Sequence, residues 1–218
     1  MIVGIVNFSS LFACEEEVSC EKCAKNTEFS WNPNSSNVTA RLRRFYSLEE
    51  NILISYSARK YDVAERQIND YLELASVYRC NWNYGNAIHA ANRILGLMSL
   101  DAGHIDDAAV YLEKAGQSPG SPQLNSFGPE FDLANKLLRS GKTKEVVNYL
   151  KGVRKFWEGN EEQIDKWVTK IEKGGKPYLK RYFFEFSPGQ IAIFVILIFG
   201  LNLLGWRRSR RVILESGV

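Results

Sequence analysis

Apolar residues recur at helical spacing through the middle of the chain, and the pattern returns in three places. Within GLMSLDAGHIDDAAVYLEKA, Gly103 marks a turn between two helical stretches. Ala108, Leu112 and Ala115 lie on one face of the second stretch. A helix buries such a stripe against another helix, so the pattern predicts a helix–turn–helix hairpin.

The same register fits the segments on either side. Downstream, Leu133 and Ala134 take the first-helix positions and Gly141 takes the turn, while upstream the turn lies at 59–61. The matching second-helix positions are Val146, Leu150 and Val153 downstream, and Ala64, Ile68 and Tyr71 upstream. These hairpins predict an all-α domain of stacked antiparallel hairpins over 41–173.

The predicted domain closes with an amphipathic helix in EEQIDKWVTKIEK. Its apolar face consists of Ile164, Trp167, Val168 and Ile171. Gly174 and Gly175 follow, and we interpret them as a hinge.

The run from Gln190 to Trp206 carries no charge. At about 1.5 Å per residue, it covers most of a hydrocarbon core of roughly 30 Å. Aromatic residues flank the run at both ends, and arginines follow it directly. We therefore predict one transmembrane helix over 189–206, preceded by a juxtamembrane linker over 174–188 and followed by a basic tail over 207–218. The alternative, a buried helix of a soluble core, would normally keep a polar stripe.

The N-terminal stretch MIVGIVNFSSLFA, residues 1–13, is apolar and uncharged, like the central region of a secretion signal. It lacks the basic start of such a signal, so the alternative is a hydrophobic terminal segment. Cys14 follows in LFAC, which is similar to a lipoprotein signal in which this cysteine is lipidated. The arginines after the predicted span favour a cytoplasmic C-terminus. Basic residues at a comparable distance on the other side of the span oppose this bias: Lys170, Lys173, Lys176, Lys180 and Arg181. We predict a single-pass protein of the bacterial cell envelope, with its helical domain on the extracytoplasmic side.

Residues 14–40 are predicted to form a polar linker that contains three of the four cysteines. Cys20 and Cys23 have the spacing of half a zinc site or of a redox pair. No second pair follows for zinc, and the flanking sequence does not fit a thioredoxin-type motif. The pair is interpreted as a disulfide or as two ordinary thiols.

The hairpin around Gly103 resembles the tetratricopeptide repeat. It carries Leu95–Gly96 in its first helix and small residues at Ala108 and Ala115 in its second. The resemblance implies a short solenoid, although the spacings exceed the usual period of about 34 residues. A longer block resembles an uncharacterised bacterial family; it runs from NWNYGNAIHAANRILG through SPGSPQLNSFGP to NYLKGVRKFWEG. That second resemblance implies helical repeats and a bacterial source, but no known activity.

Residues 118–129, SPGSPQLNSFGP, are interpreted as a stiff connector between hairpins, because proline and glycine fix unusual backbone angles there. The alternative is a functional loop. Its candidate site consists of Gln123, Asn125 and Ser126, which carry short polar groups.

Candidate catalytic chemistry is sparse. SGKTK ends like a phosphate-binding loop, but Lys136 stands where the motif needs glycine. His89 and His104 belong to no ligand cluster, and Asp106 and Asp107 are expected to cap a helix. We therefore expect no enzymatic activity, cofactor or metal site. The net charge of +3 is mild and unevenly placed, so we expect no nucleic-acid partner.

The first helix of each hairpin would line the concave side of a solenoid. The residues predicted to bind a partner there are Tyr46, Glu49, Arg93, Leu97, Asn135 and Arg139. The arginines have the chemistry to hold a carboxylate. The sequence thus predicts a membrane-anchored protein–protein interaction module that recruits a protein or peptide. The alternative function is a small-ligand-binding protein or an enzyme that uses the 118–129 loop.

Overall fold

A computed structural model describes residues 39–181, and every regular element in this range is a helix. The prediction of an all-α chain is confirmed for this range. The helices are α1 (Ala40–Ser57), α2 (Tyr61–Val77), α3 (Tyr84–Asp101), α4 (Ile105–Gly116), α5 (Pro122–Phe127), α6 (Asp132–Arg139), α7 (Thr143–Val153) and α8 (Glu161–Glu172).

Three hairpins share one turn geometry. Each turn contains a residue with positive φ: 57° at Arg59, 82° at Gly103 and 87° at Gly141. The N–H of the residue after each of these donates a hydrogen bond to the carbonyl five positions before that donor, over 2.9, 2.8 and 3.0 Å respectively. This is the hydrogen bond of a Schellman cap, which satisfies the last carbonyls of the first helix and reverses the chain. The hairpins are α1–α2, α3–α4 and α6–α7.

The second helices bury the positions that the sequence pattern marks. Ala64, Ala108 and Val146 each lie five residues after the positive-φ residue, and all three are fully buried. A further small residue allows α4 and α7 to touch. A Cβ atom at Gly152 would lie 2.1 Å from the Gly116 carbonyl oxygen, which is too close for a non-bonded contact, so the two backbones meet directly there.

Helix α3 occupies the centre, because it packs against α1, α2, α4, α5 and α6. It therefore buries polar side chains as well as apolar ones. The polar residues of α3 that are buried are Asn86, His89, Asn92 and Arg93. A single apolar stripe would not describe such a helix.

Helix α8 closes the last hairpin through Ile164, Trp167 and Ile171, which are buried. It ends in a glycine cap: Gly174 has φ of 84°, and the Gly175 N–H bonds the Lys170 carbonyl over 2.9 Å. The pair predicted to be a hinge therefore terminates α8 and turns the chain.

Several predictions concern residues outside the described range. These are the N-terminal segment 1–13, the cysteines of the linker, the transmembrane helix 189–206 and the basic tail 207–218. Within residues 39–181, no helix is long and apolar enough to cross a membrane. Cys80 is disulfide-bonded, and the other three cysteines lie outside the described range.

Candidate functional site

A row of charged residues of both signs crosses the first helices of the hairpins. We call Glu49, Arg93, Asp132, Glu130 and Arg181 the charge row. The Arg93 Nη1 lies 2.6 Å from Asp132 Oδ2, and Arg93 is only 7% exposed. Arg181 pairs with Glu130 near the start of α6. The row thus joins α1, α3, the start of α6 and the segment that follows α8.

The electrostatics of the row centre on Glu49. Burial raises the pKa of this carboxyl, whereas the Arg93 charge and a hydrogen bond with Tyr71 oppose the rise. The nearby Glu130 carboxylate raises the pKa further. Because three carboxylates meet two guanidinium groups, the row is better suited to basic or main-chain N–H groups than to another carboxylate.

Asn135 holds the main chain of a later residue with both atoms of its amide. Its Nδ2 donates to the Leu179 carbonyl over 2.8 Å, and its Oδ1 accepts from the Leu179 N–H over 2.8 Å. Asn135 is 5% exposed and the Leu179 side chain is fully buried. Such an amide clasp binds one residue of an extended chain, as a neighbouring β-strand would.

Residues 176–181 form a non-helical segment along α6, which we call the strap. Besides the Asn135 clasp, Lys176 Nζ donates to the Arg139 carbonyl over 3.1 Å, and Arg181 pairs with Glu130. The strap therefore contacts both ends of α6. The packed part of the chain continues past Lys173, where the sequence interpretation ended the domain.

Four of the six residues predicted to bind a partner lie in or beside the charge row and the strap, whereas Leu97 lies in the core. Glu49, Arg93, Asn135 and Arg139 belong to the charge row or lie beside the strap. Arg93 is already paired, and Arg139 is exposed at the end of α6. Leu97 is a core residue, because α3 is surrounded at that point.

Tyr46 lies at the start of the same face. Its ring stacks on Trp82 with centroids 5.2 Å apart, and its hydroxyl accepts a 2.9 Å hydrogen bond from Asn81. The side chain is half-buried. The face therefore begins with an aromatic pair and ends at the strap.

The candidate loop residues bond mostly within the protein. Gln123 accepts from Asn86 over 3.4 Å. Asn125 accepts from the Glu158 N–H over 2.9 Å and donates to the Glu158 carboxylate over 3.2 Å. Ser126 is exposed. These contacts hold the loop in one place and engage two of its three polar groups.

The three parts of the long sequence block meet in space. Gly85 and Gly120 touch main chain to main chain, and a side chain at Gly128 would lie 2.6 Å from the Trp157 ring. The hydroxyl of Ser118 donates to the Gly85 carbonyl over 2.8 Å. These positions have no room for a side chain, because the connector packs directly against α3 and against the segment that follows α7.

A buried histidine lies beneath this junction. His89 is 3% exposed, and its Nε2 lies 3.0 Å from the Tyr149 hydroxyl. Burial lowers the pKa of His89 to about 3, and the Arg93 charge acts in the same direction. The imidazole is therefore neutral at physiological pH and serves as a polar member of the core.

Sequence reasoning missed the contribution of Glu130, Asp132 and Leu179 to this face. Asp132 lies 39 positions from its partner Arg93, and Leu179 lies 44 from Asn135. One local signal was present in KPYLKR, residues 176–181. Lys176, Tyr178 and Lys180 are exposed, and the residues between and after them are buried or half-buried. That alternation is typical of an extended segment with one face against a surface.

Two hollows on the described surface are open to solvent. One, of about 410 Å³, lies between α4 and α7 and is lined by residues such as Glu113, Asn148 and Lys155. The other, of about 560 Å³, lies beside α8. Among residues 39–181, no cluster of three or more histidine, cysteine or acidic residues could hold a metal ion.

Comparison with protein-family models, curated proteins and solved structures finds no match.

Proposed function

We propose that this protein is a membrane-anchored interaction module whose helical face binds an extended segment of a protein partner. The observation that carries the proposal is the Asn135 clasp, in which both amide atoms bond one residue's main chain over 2.8 Å. The Leu179 side chain fills a buried site beside it. A surface that already holds an extended chain has the chemistry for peptide recognition.

We further propose that the hairpins are tetratricopeptide-like repeats. The common turn geometry at Arg59, Gly103 and Gly141 supports this proposal. So does the equivalence of the buried second-helix positions, which holds across all three hairpins. The first helices would then line a shared binding surface, as stacked repeats do.

We place the domain in the bacterial cell envelope, anchored by the uncharged run that begins at Gln190. The disulfide at Cys80 supports the extracytoplasmic side, because disulfides persist in oxidising compartments. The arginines that follow the run agree with that orientation.

The partner's segment would lie on the part of the face that the strap leaves uncovered, between Tyr46 and the charge row. Because Arg93 already pairs with Asp132, the excess of carboxylates favours a partner that presents basic side chains or main-chain N–H groups. No specific observation favours the alternative of a small-ligand site in the 118–129 loop, whose Gln123 and Asn125 bond within the protein.

The test is a detergent-solubilised pull-down of the tagged full-length protein. Glu49→Lys reverses the charge that we assign to partner binding. Arg66→Glu is the matched control, because it reverses an exposed charge on α2. We expect a stoichiometric polypeptide that the wild type and Arg66→Glu retain and that Glu49→Lys loses.

The variants need one further check, since Glu49 is half-buried. Thermal unfolding must show that Glu49→Lys is folded, and Glu49→Gln provides a milder version that keeps the shape of the side chain. If no polypeptide binds any folded variant, or if the control loses it equally, the proposed function is wrong.

A further inference from the structure

The two faces of the strap have different chemistry. Leu179 on the inner face is fully buried, and Pro177 and Arg181 are half-buried. Lys176, Tyr178 and Lys180 alternate with them and are exposed. Tyr178 is 69% exposed, so its ring is accessible on the outer face of the strap.

Two further lysines precede the strap. Lys170, in the last turn of α8, and Lys173, directly after it, are exposed, and they line the open hollow of about 560 Å³ together with Gly175, Glu162 and Asp165. Three of the four acidic groups of α8 pair with other cations. Glu162 pairs with Lys166 over 2.7 Å, Asp165 with Arg154 over 3.1 Å, and Glu172 with Lys151 over 3.9 Å.

The strap also has a defined place in the chain. Its last residue, Arg181, precedes by nine positions the uncharged run that starts at Gln190. The Asn135 clasp fixes to the domain the described segment that is nearest in sequence to the proposed anchor.

We propose that the outer face of the strap, with Lys170 and Lys173, docks on an anionic lipid surface. This inference rests on the proposed membrane anchoring. Ammonium groups beside a bilayer are attracted to anionic headgroups, and tyrosine is favoured at the interface because its ring is apolar and its hydroxyl is polar. Docking would hold the domain in one orientation on the bilayer.

The test uses the full-length protein in nanodiscs of phosphatidylcholine, alone or mixed with phosphatidylglycerol. The photo-cross-linker benzoylphenylalanine replaces Tyr178 in one sample. It replaces Ile54 in the control, because Ile54 is 60% exposed but lies in the first hairpin. We expect lipid adducts at position 178 that are several-fold more abundant with phosphatidylglycerol, and none at position 54.

A second variant tests the lysines. Replacement of Lys170 and Lys173 by glutamine should lower the phosphatidylglycerol dependence several-fold while thermal unfolding stays unchanged, because neither side chain makes a contact that holds the strap. Equal adducts in both lipids, or adducts to protein instead of lipid at position 178, would overturn the inference but not the anchoring. Failure of the wild type to remain in nanodiscs after alkaline washing would overturn the anchoring, and the inference with it.

Discussion

The pH dependence of stability should report the burial of His89. Its imidazole is 3% exposed, beside the Tyr149 hydroxyl and the ring of Phe156. Burial lowers its pKa from 6.5 to about 3 in the folded protein. As the pH falls, the unfolded chain therefore binds a proton before the folded chain does, and acidification favours unfolding.

The magnitude follows from the two pKa values. The contribution of His89 is fully present above pH 6.5 and is lost progressively as the pH falls toward 3. Each unit between the ordinary and the folded pKa corresponds to about 1.4 kcal/mol. Between about pH 7.5 and about pH 5, the protein should lose about 2 kcal/mol of stability through this one group.

The assay is urea unfolding of the full-length protein in detergent at both pH values, followed by the fluorescence of the buried Trp157 and Trp167. His89→Gln removes the titration and keeps a polar group near Nε2. His104→Gln is the control, because it changes the only other histidine, whose side chain is 67% exposed. Other titrating groups are common to all three proteins and cancel in the differences.

We expect His89→Gln to lose about 2 kcal/mol less than the wild type on acidification, and His104→Gln to follow the wild type. If His89→Gln and the wild type show the same pH dependence, His89 is not a buried neutral group. The packing assigned to α3 and α7 would then be wrong.

Three further predictions follow from single positions. Gly152→Ala should lower the free energy of unfolding by about 1–3 kcal/mol, because its new methyl group would overlap the Gly116 carbonyl oxygen. Lys151→Ala is the control at an exposed neighbour, and it should change the free energy of unfolding by less than about 0.5 kcal/mol. Arg59→Gly should raise it by roughly 0.5–1 kcal/mol, because φ is 57° there. Asn135→Ala should release the strap and speed tryptic cleavage after Lys180 and Arg181.

These predictions can each fail clearly. Equal destabilisation by Gly152→Ala and Lys151→Ala would contradict the close approach of α4 and α7. A loss of stability in Arg59→Gly would mean that the arginine contributes more than its backbone angle costs. Unchanged cleavage in Asn135→Ala would show that the strap is held by other contacts.

The sequence predicted the hairpins because the relevant signals are local. Positive φ favours glycine at 103 and 141, and the small buried residues at 64 and 108 recur at fixed distances from their turns. The helical period of apolar residues follows directly from burial on one side.

The sequence did not predict the charge row or the clasp, because their partners are far apart in the chain. Leu97 was assigned to the surface by the same reasoning that placed Arg93 there. Both are buried, since α3 contacts helices on several sides and carries a buried ion pair. A polar residue in the sequence indicates an exposed position only on a helix that keeps one side in contact with solvent.

The most direct test of the claim that this face binds an extended chain is to measure whether the Asn135 clasp forms. The measurement is hydrogen exchange of the full-length protein, resolved at the Leu179 amide. We predict slow exchange in the wild type and fast exchange in Asn135→Ala, because the Asn135 Oδ1 accepts that amide proton over 2.8 Å. Exchange in the wild type at the rate of an unstructured peptide would contradict the account.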